Sequence, residues 1–230
     1  MNYHLAIQHT YNGIELGLFD GSKPIQVSSD DKKKASKNIV VLVNELLQAN
    51  DVSFEDLQFI AANQGPGPFT TLRVVIASVN GLAFATKKPL IGVDGLDAVL
   101  QEHENPDYEV TVALLNAYSN DIYFGIQDKK RETQKKGYQQ ILSFLSELKT
   151  AYPNQTVRFI GQGVLLYADQ INEVFGKQAL IPSPVPEHCS VRQIGLMAWE
   201  KWDQQKDLAE QLFPMYLKTM RIKKKAPSSF

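Results

Sequence analysis

Gly65-Pro66-Gly67-Pro68-Phe69-Thr70-Thr71-Leu72-Arg73 lies between an apolar run, residues 57–63, and a segment of helical character, residues 70–86. A buried strand, a glycine-rich turn and a helix in that order are the unit from which α/β sheets are assembled. Backbone N–H groups at a helix start hold anions, so the loop invites a phosphate. It lacks the Lys-Ser/Thr ending of a Walker loop, however, and Pro66 and Pro68 carry no N–H, which leaves Gly65 and Gly67 as the donors among those four residues. What the prolines supply is a fixed backbone path that delivers Phe69 and Arg73 at a defined place. Two readings stay open here: an edge for a partner or ligand, and a rigid strand-to-helix turn.

Towards the N-terminus, residues 3–8 are a short apolar run, Asn12-Gly13 is a hairpin signal, and Ile14, Leu16 and Leu18 alternate with polar or small residues. Asp20-Gly21 turns the chain again towards Ile25 and Val27, which gives three antiparallel strands. From Ala35 the period changes: Ile39, Leu42, Val43, Leu46 and Leu47 fall on one helical face, and Asn50 stops it. Beyond the quoted stretch, residues 89–93 read as a strand, and Leu96 and Leu100 mark a short helix. Residues 101–108 contain Glu102, Glu104, Asn105, Pro106 and Asp107 and no aliphatic side chain, so they read as a surface connection. The same order then recurs. Strands are expected over 109–115, 122–127 and 131–136, then a helix carrying Ile141, Leu142, Leu145 and Leu148, a strand over 157–160, and Gly161-Gln162-Gly163 opening another helix. A short strand over 179–181, a proline-rich loop and a helix through Ile194, Met197, Ala198 and Trp202 follow. Two copies of strand-strand-strand-helix-strand-helix predict a duplicated α/β chain in which each half builds a mixed sheet covered by helices. That pattern resembles the actin-like ATPase (ribonuclease H-like) fold. The expected division is 1–101 as the first subdomain, 102–108 as the connection, 109–218 as the second subdomain and 219–230 as a flexible basic tail.

The chain has 230 residues, 43% hydrophobic and 21% charged, with a formal charge of −1, which suits a sizeable core. That balance gives no general attraction to nucleic acid or to an anionic membrane, so any RNA contact is local or supplied by a partner. One cysteine, Cys189, excludes an intramolecular disulfide framework and a cysteine-built zinc site. With no leader-like N-terminus and no segment that reads as a membrane span, the expectation is a cytoplasmic protein. His4, His9, His103 and His188 include no i, i+4 pair suited to a metal ion. The first strand ends Gln8-His9-Thr10, where an actin-like enzyme needs a carboxylate for metal-bound nucleotide, and an amide is a weak magnesium ligand. Along residues 70–86, Ala77, Ser78, Gly81 and Ala85 are small enough for another helix to approach. A mid-helix glycine costs about 1 kcal/mol relative to alanine, so Gly81 reads as a partner contact or as tight packing on the chain's own sheet. Lys218, Arg221, Lys223, Lys224 and Lys225 read as a solvated tail, with an RNA-phosphate contact as the alternative.

These residues together resemble the bacterial TsaB proteins, also called YeaZ, over nearly the whole chain. The quoted loop is similar to that family's GPGSFTGLR, and Gly81-Leu82-Ala83 to its GLA. Pro89, Gly92-Val93, Leu96 and Ala98 fall on its P-x-x-G-V-x-x-L-x-A pattern. Asn116-Ala117 through Asp121-Ile122-Tyr123 resembles DARRGEVY, Gly161 and Gly163 a G-x-G turn, and Pro214-Met215-Tyr216-Leu217-Lys218 a terminal P-x-Y-L-R. The chain departs from the pattern at Gln8, Ala35, Pro68 and Thr71, where the family has aspartate, histidine, serine and glycine, and is a divergent member.

The resemblance implies an actin-like fold of two subdomains and a non-catalytic scaffold or activator role. The complex served would form N6-threonylcarbamoyladenosine at position 37 of tRNAs reading A-starting codons, with a catalytic TsaD-like paralogue and a TsaE-like ATPase as partners. It also implies a homodimer in isolation, tRNA contact only through the complex, no metal and no cofactor of its own, with any ATP or ADP at an interface of the complex. Helices of the first subdomain form the family's interface. Phe69, Arg73, Ala77, Ser78, Gly81 and Ala85 are therefore the expected partner surface, and Gly65, Pro66, Gly67 and Pro68 the structural loop that sets it. The competing expectation is an actin-like small-molecule kinase or ATPase with nucleotide in the cleft between the halves.

Overall fold

The computed structural model describes residues 1–129 and 133–217, with backbone alone at 31–37 and 133–134. The three N-terminal strands, β1 (Tyr3–His9), β2 (Gly13–Asp20) and β3 (Lys23–Asp31), pair antiparallel, and α1 (Lys32–Gln48) follows. The chain then runs through β4 (Leu57–Asn63), α2 (Phe69–Thr86), β5 (Leu90–Val93) and α3 (Gly95–Glu102). β4 and β5 extend the sheet in parallel with β1. The second half repeats this plan with β6 (Val110–Asn116), β7 (Asp121–Asp128), β8 (Thr133–Gln140), α4 (Ile141–Ala151), β9 (Val157–Ile160), α5 (Gln162–Phe175) and β10 (Ala179–Leu180). Its sheet has the order β10-β9-β6-β7-β8. Two mixed sheets covered by helices are thus present, as the repeated pattern predicts.

Strand alternation explains how the layers stack, because successive side chains point to opposite faces. Leu5 and Ile7 of β1 face a core shared with α1 and α2. Ala6 faces a middle layer with Leu96, Val99, Ile194 and Ala198, so α3 and α6 (Val191–Asp203) lie between the two sheets. The outer face of the second sheet packs on α4 and α5 through Phe144, Leu145, Val164 and Ile171.

Four expectations need correction. The division at residue 109 does not hold for the end of the chain: α6 packs on β1, β2, β3, β4 and β5, and β11 (Leu208–Ala209) pairs antiparallel with β5. The first sheet is therefore six-stranded, in the order β11-β5-β4-β1-β2-β3. Helical periodicity says that α6 has a buried face; it does not say which sheet that face meets. β8 runs to Gln140, four residues past the expected end at 136. Leu142, expected on the buried face of α4, is 52% exposed while Ile141, Phe144 and Leu145 fill the core. Finally, α2 does have the length and hydropathy of a membrane span, 18 residues at mean hydropathy 1.4. Its apolar residues Leu72, Val75, Ile76, Val79 and Leu82 are spent instead on the core beneath it. The basic run Lys218, Arg221, Lys223, Lys224 and Lys225, and the tail 219–230, lie outside the described residues.

Candidate functional site

The C-terminal ends of β1 and β4 and the loop of residues 65–68 meet the chain entering α6 at the mouth of the cleft between the sheets. Gln8 is buried there at the end of β1. Its amide nitrogen donates to Glu15 Oε2 at 2.6 Å and to the Cys189 carbonyl at 2.8 Å. Its oxygen accepts from Asn63 Nδ2 at 3.3 Å and faces the Cys189 thiol at 3.5 Å. Glu15 is held in turn by the Val191 N–H at 3.0 Å and lies 3.4 Å from His188 Nε2. Burial alone would raise the Glu15 pKa, but the hydrogen bonds from His188, Gln8 and Val191 outweigh it and hold the carboxyl below its usual range. The hydrogen bond with Glu15 raises the His188 pKa against the effect of burial. Burial pushes the Cys189 thiol far up, so it is a neutral packing group and no nucleophile.

This network occupies the inner end of the cleft. The pocket behind Gln8, lined by Gln8, His9, Asn63, Pro66 and Cys189 among others, measures about 20 Å³, and a more open one of about 390 Å³ adjoins it, lined by Thr10, Asn12, Glu15, Ser29 and His188 among others. Gly67 is part of the seal: a Cβ there would lie 2.3 Å from His9 Cε1. Among the described residues, no group of three or more His, Cys, Asp or Glu side chains could hold a metal ion.

The loop of residues 65–68 is fixed on both sides. Asn63 Oδ1 accepts from the Gly65 N–H at 2.8 Å, and the Gly65 carbonyl accepts from the Gly95 N–H at 2.8 Å. The Gly65–Pro66 bond is cis, and Gly65 has φ +99°, a backbone region that favours glycine. The C-terminal segment then straps across the outside. The Met215 N–H donates to the Gln64 carbonyl at 2.8 Å, and Gln64 Nε2 to the Phe213 carbonyl at 3.0 Å. Asn80 clamps Leu212 from α2 with both ends of its amide, at 3.0 and 2.9 Å. Arg73 Nε donates to the Tyr216 hydroxyl at 2.7 Å, and its guanidinium lies 3.7 Å over the Phe69 ring. The first turn of α2 is therefore pinned from both directions.

That pinning presents one face of the helix. Phe69, Arg73, Ala77, Gly81 and Ala85, spaced four apart, are all exposed, while Ser78 beside them is half-buried with its hydroxyl on the Val74 carbonyl at 2.9 Å. A Cβ on Gly81 would meet nothing within 4 Å, so this glycine is not required by packing on the chain's own sheet. The six surface residues singled out from the sequence thus share one face, and the four loop residues sit at its base. Sequence reasoning missed Glu15, His188 and Asn80, which become partners only through contacts between distant segments. Tyr216 was visible only as part of a terminal motif.

The family model that matches this chain is that of TsaD, tRNA N6-adenosine threonylcarbamoyltransferase, over residues 27–223. Curated relatives include the tRNA threonylcarbamoyladenosine biosynthesis protein TsaB of Haemophilus influenzae, 26% identical over 130 residues, which are 55% of each chain. The chain thus spans about half the length of that relative. The protein of the same name from Bacillus subtilis is 22% identical, over 74% of this chain and 75% of its own. Among solved structures, a Pseudomonas aeruginosa protein described as similar to peptidase YeaZ is 20% identical, covers 95% of this chain and 100% of its own, and superposes with a TM-score of 0.72. That likeness carries the fold, the two-sheet actin-like architecture already described. With the family model covering most of its length, the chain belongs to the tRNA N6-adenosine threonylcarbamoyltransferase (TsaD) family, and its likenesses group it with the TsaB/YeaZ proteins.

Proposed function

We propose that this chain is a non-catalytic subunit in the formation of N6-threonylcarbamoyladenosine on tRNA, docking through the outer face of α2 onto a catalytic TsaD-like paralogue. The observation that carries this reading is the hydrogen-bonded network at the end of β1. Gln8 stands at the end of β1, Glu15 is tied to His188, Gln8 and Val191, and the pocket behind Gln8 measures about 20 Å³. A kinase or ATPase needs a carboxylate free to reach its metal, and the Glu15 carboxylate is already held by three partners. The same face of α2 would serve a second copy of the chain when the paralogue is absent. A TsaE-like ATPase, tRNA and any ATP or ADP would then join through the assembled complex, in the cytoplasm.

The test is reconstitution. Purified chain is assayed for ATP turnover with magnesium, then added to TsaD-like and TsaE-like partners, and threonylcarbamoyladenosine on tRNA is measured with and without it. The expected result is background ATP turnover alone and modification that depends on its addition. ATP turnover by the isolated chain that disappears in Gln8→Ala would overturn the reading.

A further inference from the structure

Between the end of α2 and β11, the exposed large apolar side chains among the described residues are Tyr118, Leu142, Leu165 and Leu166, each about half exposed. All four stand at one end of the second sheet. β6, β8 and β9 run in the same direction, and Tyr118 follows the end of β6, Leu142 the end of β8, and Leu165 with Leu166 the end of β9. The three segments are locked to one another. Asn116 Oδ1 accepts from the Tyr118 N–H at 2.8 Å, and the Asn120 carbonyl accepts from the Ile141 N–H at 3.0 Å at the start of α4. α5 begins hard against β6, since a Cβ on Gly161 would lie 2.3 Å from the Leu114 carbonyl oxygen. Apolar surface gathered at one end of a fold in this way marks a docking site.

The charges around it say what docks. Residues 116–121, 140–147 and 162–169, which carry the four side chains, contain Asp121, Glu147 and Asp169 and no Lys, Arg or His. Glu147 accepts from the Gln139 amide at 2.6 Å and Asp121 from the Tyr138 hydroxyl, donors that leave the negative charge in place. Lys136, further back on β8, is spent on Asp94 and Asp97. The surface therefore suits a segment that is both apolar and basic, and it opposes RNA, an anionic membrane and the same surface of a second copy. We infer that residues 218–230 of the chain itself are that segment. They contain Lys218, Arg221, Lys223, Lys224 and Lys225, no Asp or Glu, and the apolar Met220, Ile222 and Phe230. The described chain ends at Leu217, packed on the middle layer as Tyr11 is, and the Tyr11 hydroxyl donates to the Asn116 carbonyl at 2.7 Å, two residues from Tyr118. A segment of this length reaches roughly 40 Å when extended, more than the width of a small domain. The inference does not depend on what occupies the face of α2.

The test uses the full chain and a carbodiimide, which joins an amine to a carboxylate only where the two already touch, with the joined peptides identified by mass spectrometry. The expected result is that Lys223, Lys224 and Lys225 join to Glu147 and Asp169 within one chain. An equal mixture of isotope-labelled and unlabelled chains reads this, because a joined pair of mixed label comes from two copies. The double change Leu165→Ser with Leu166→Ser keeps both acids, and it should cut the yield at least fivefold with an unchanged melting profile. Lys223→Glu, Lys224→Glu and Lys225→Glu together should release the segment, which limited trypsin cleavage after Arg221 reads as at least fivefold faster. Lysines of the segment that join other acids, or none, overturn the proposal. So do pairs of mixed label, which would assign the surface to a second copy, and a yield indifferent to the loss of both leucines, which would leave only unspecific charge attraction.

Discussion

The two ends of the segment from Gly65 to Thr86 are built in opposite ways. At the inner end, a Cβ added to Gly67 would come 2.3 Å from the His9 ring, and one added to Gly65 would come 2.8 Å from Leu72 Cδ2. At the outer end, a Cβ on Gly81 meets nothing within 4 Å. Glycine at the first place is a requirement of space and backbone conformation; at the second it leaves room. The inner end is closed by hydrogen bonds, and at the outer end the helix surface is left open.

The inner end should therefore be the costliest place to add a methyl group. Gly65→Ala combines strain at φ +99° with overpacking against Leu72, for a loss of about 4 kcal/mol, or roughly 8–16 °C in Tm for a chain of this size. Thermal unfolding followed by circular dichroism measures it, and a shift below about 2 °C would mean that the loop is not held as described.

A second measure of interior tightness is pH. His4 is buried in the middle layer, stacked on Phe59 at 4.4 Å and Phe19 at 4.8 Å, and burial lowers its pKa to about 4. The folded state therefore prefers the neutral ring. Its contribution is complete above the unfolded value near 6.5 and is lost as pH falls from there through about 4. Between those limits the chain should lose about 3 kcal/mol through this group, and His4→Phe, which keeps the stack, should flatten that limb of the stability curve. An acid limb of the same size in the variant would assign it elsewhere. Gly67→Ala should come next, at about 2 kcal/mol, because it overpacks against the His9 ring without the backbone strain that a positive φ adds at Gly65.

The inside of this comparison was far less legible in the sequence than its outside. β4 and β9 were readable to the residue, since each is a short apolar run ended by a turn signal. The face of α2 was named from its small residues and from the family resemblance, and the four-residue spacing that exposes Phe69, Arg73, Ala77, Gly81 and Ala85 together is a property of the folded helix. Glu15, His188 and Cys189 carried no comparable signal: they meet Gln8 only because α6 returns to the first sheet, and local periodicity does not encode that return. β11 was missed for a related reason. Two residues cannot establish a period of two, and the strand exists because β5 offers it an edge.

The smallest expected change in stability belongs to the most informative variant, Gly81→Leu. From the sequence this glycine had two readings, tight packing on its own sheet or room for a partner, and they predict different outcomes for a bulky replacement. Packing on its own sheet would make leucine an overpacking mutation costing about 1–3 kcal/mol. The open space above Gly81 removes that cost, and leucine has a better helix propensity than glycine by up to about 1 kcal/mol. The isolated variant should therefore melt within about 3 °C of the parent, or slightly above it. Mixed with the TsaD-like partner, it should fail to assemble, and threonylcarbamoyladenosine formation should fall with it, because a side chain now stands where a helix was to approach. Melting and assembly are measured on one preparation, so lost assembly cannot be blamed on unfolding. A stable Gly81→Leu protein that assembles normally would remove this face of α2 from the interface and leave the glycine without an explanation.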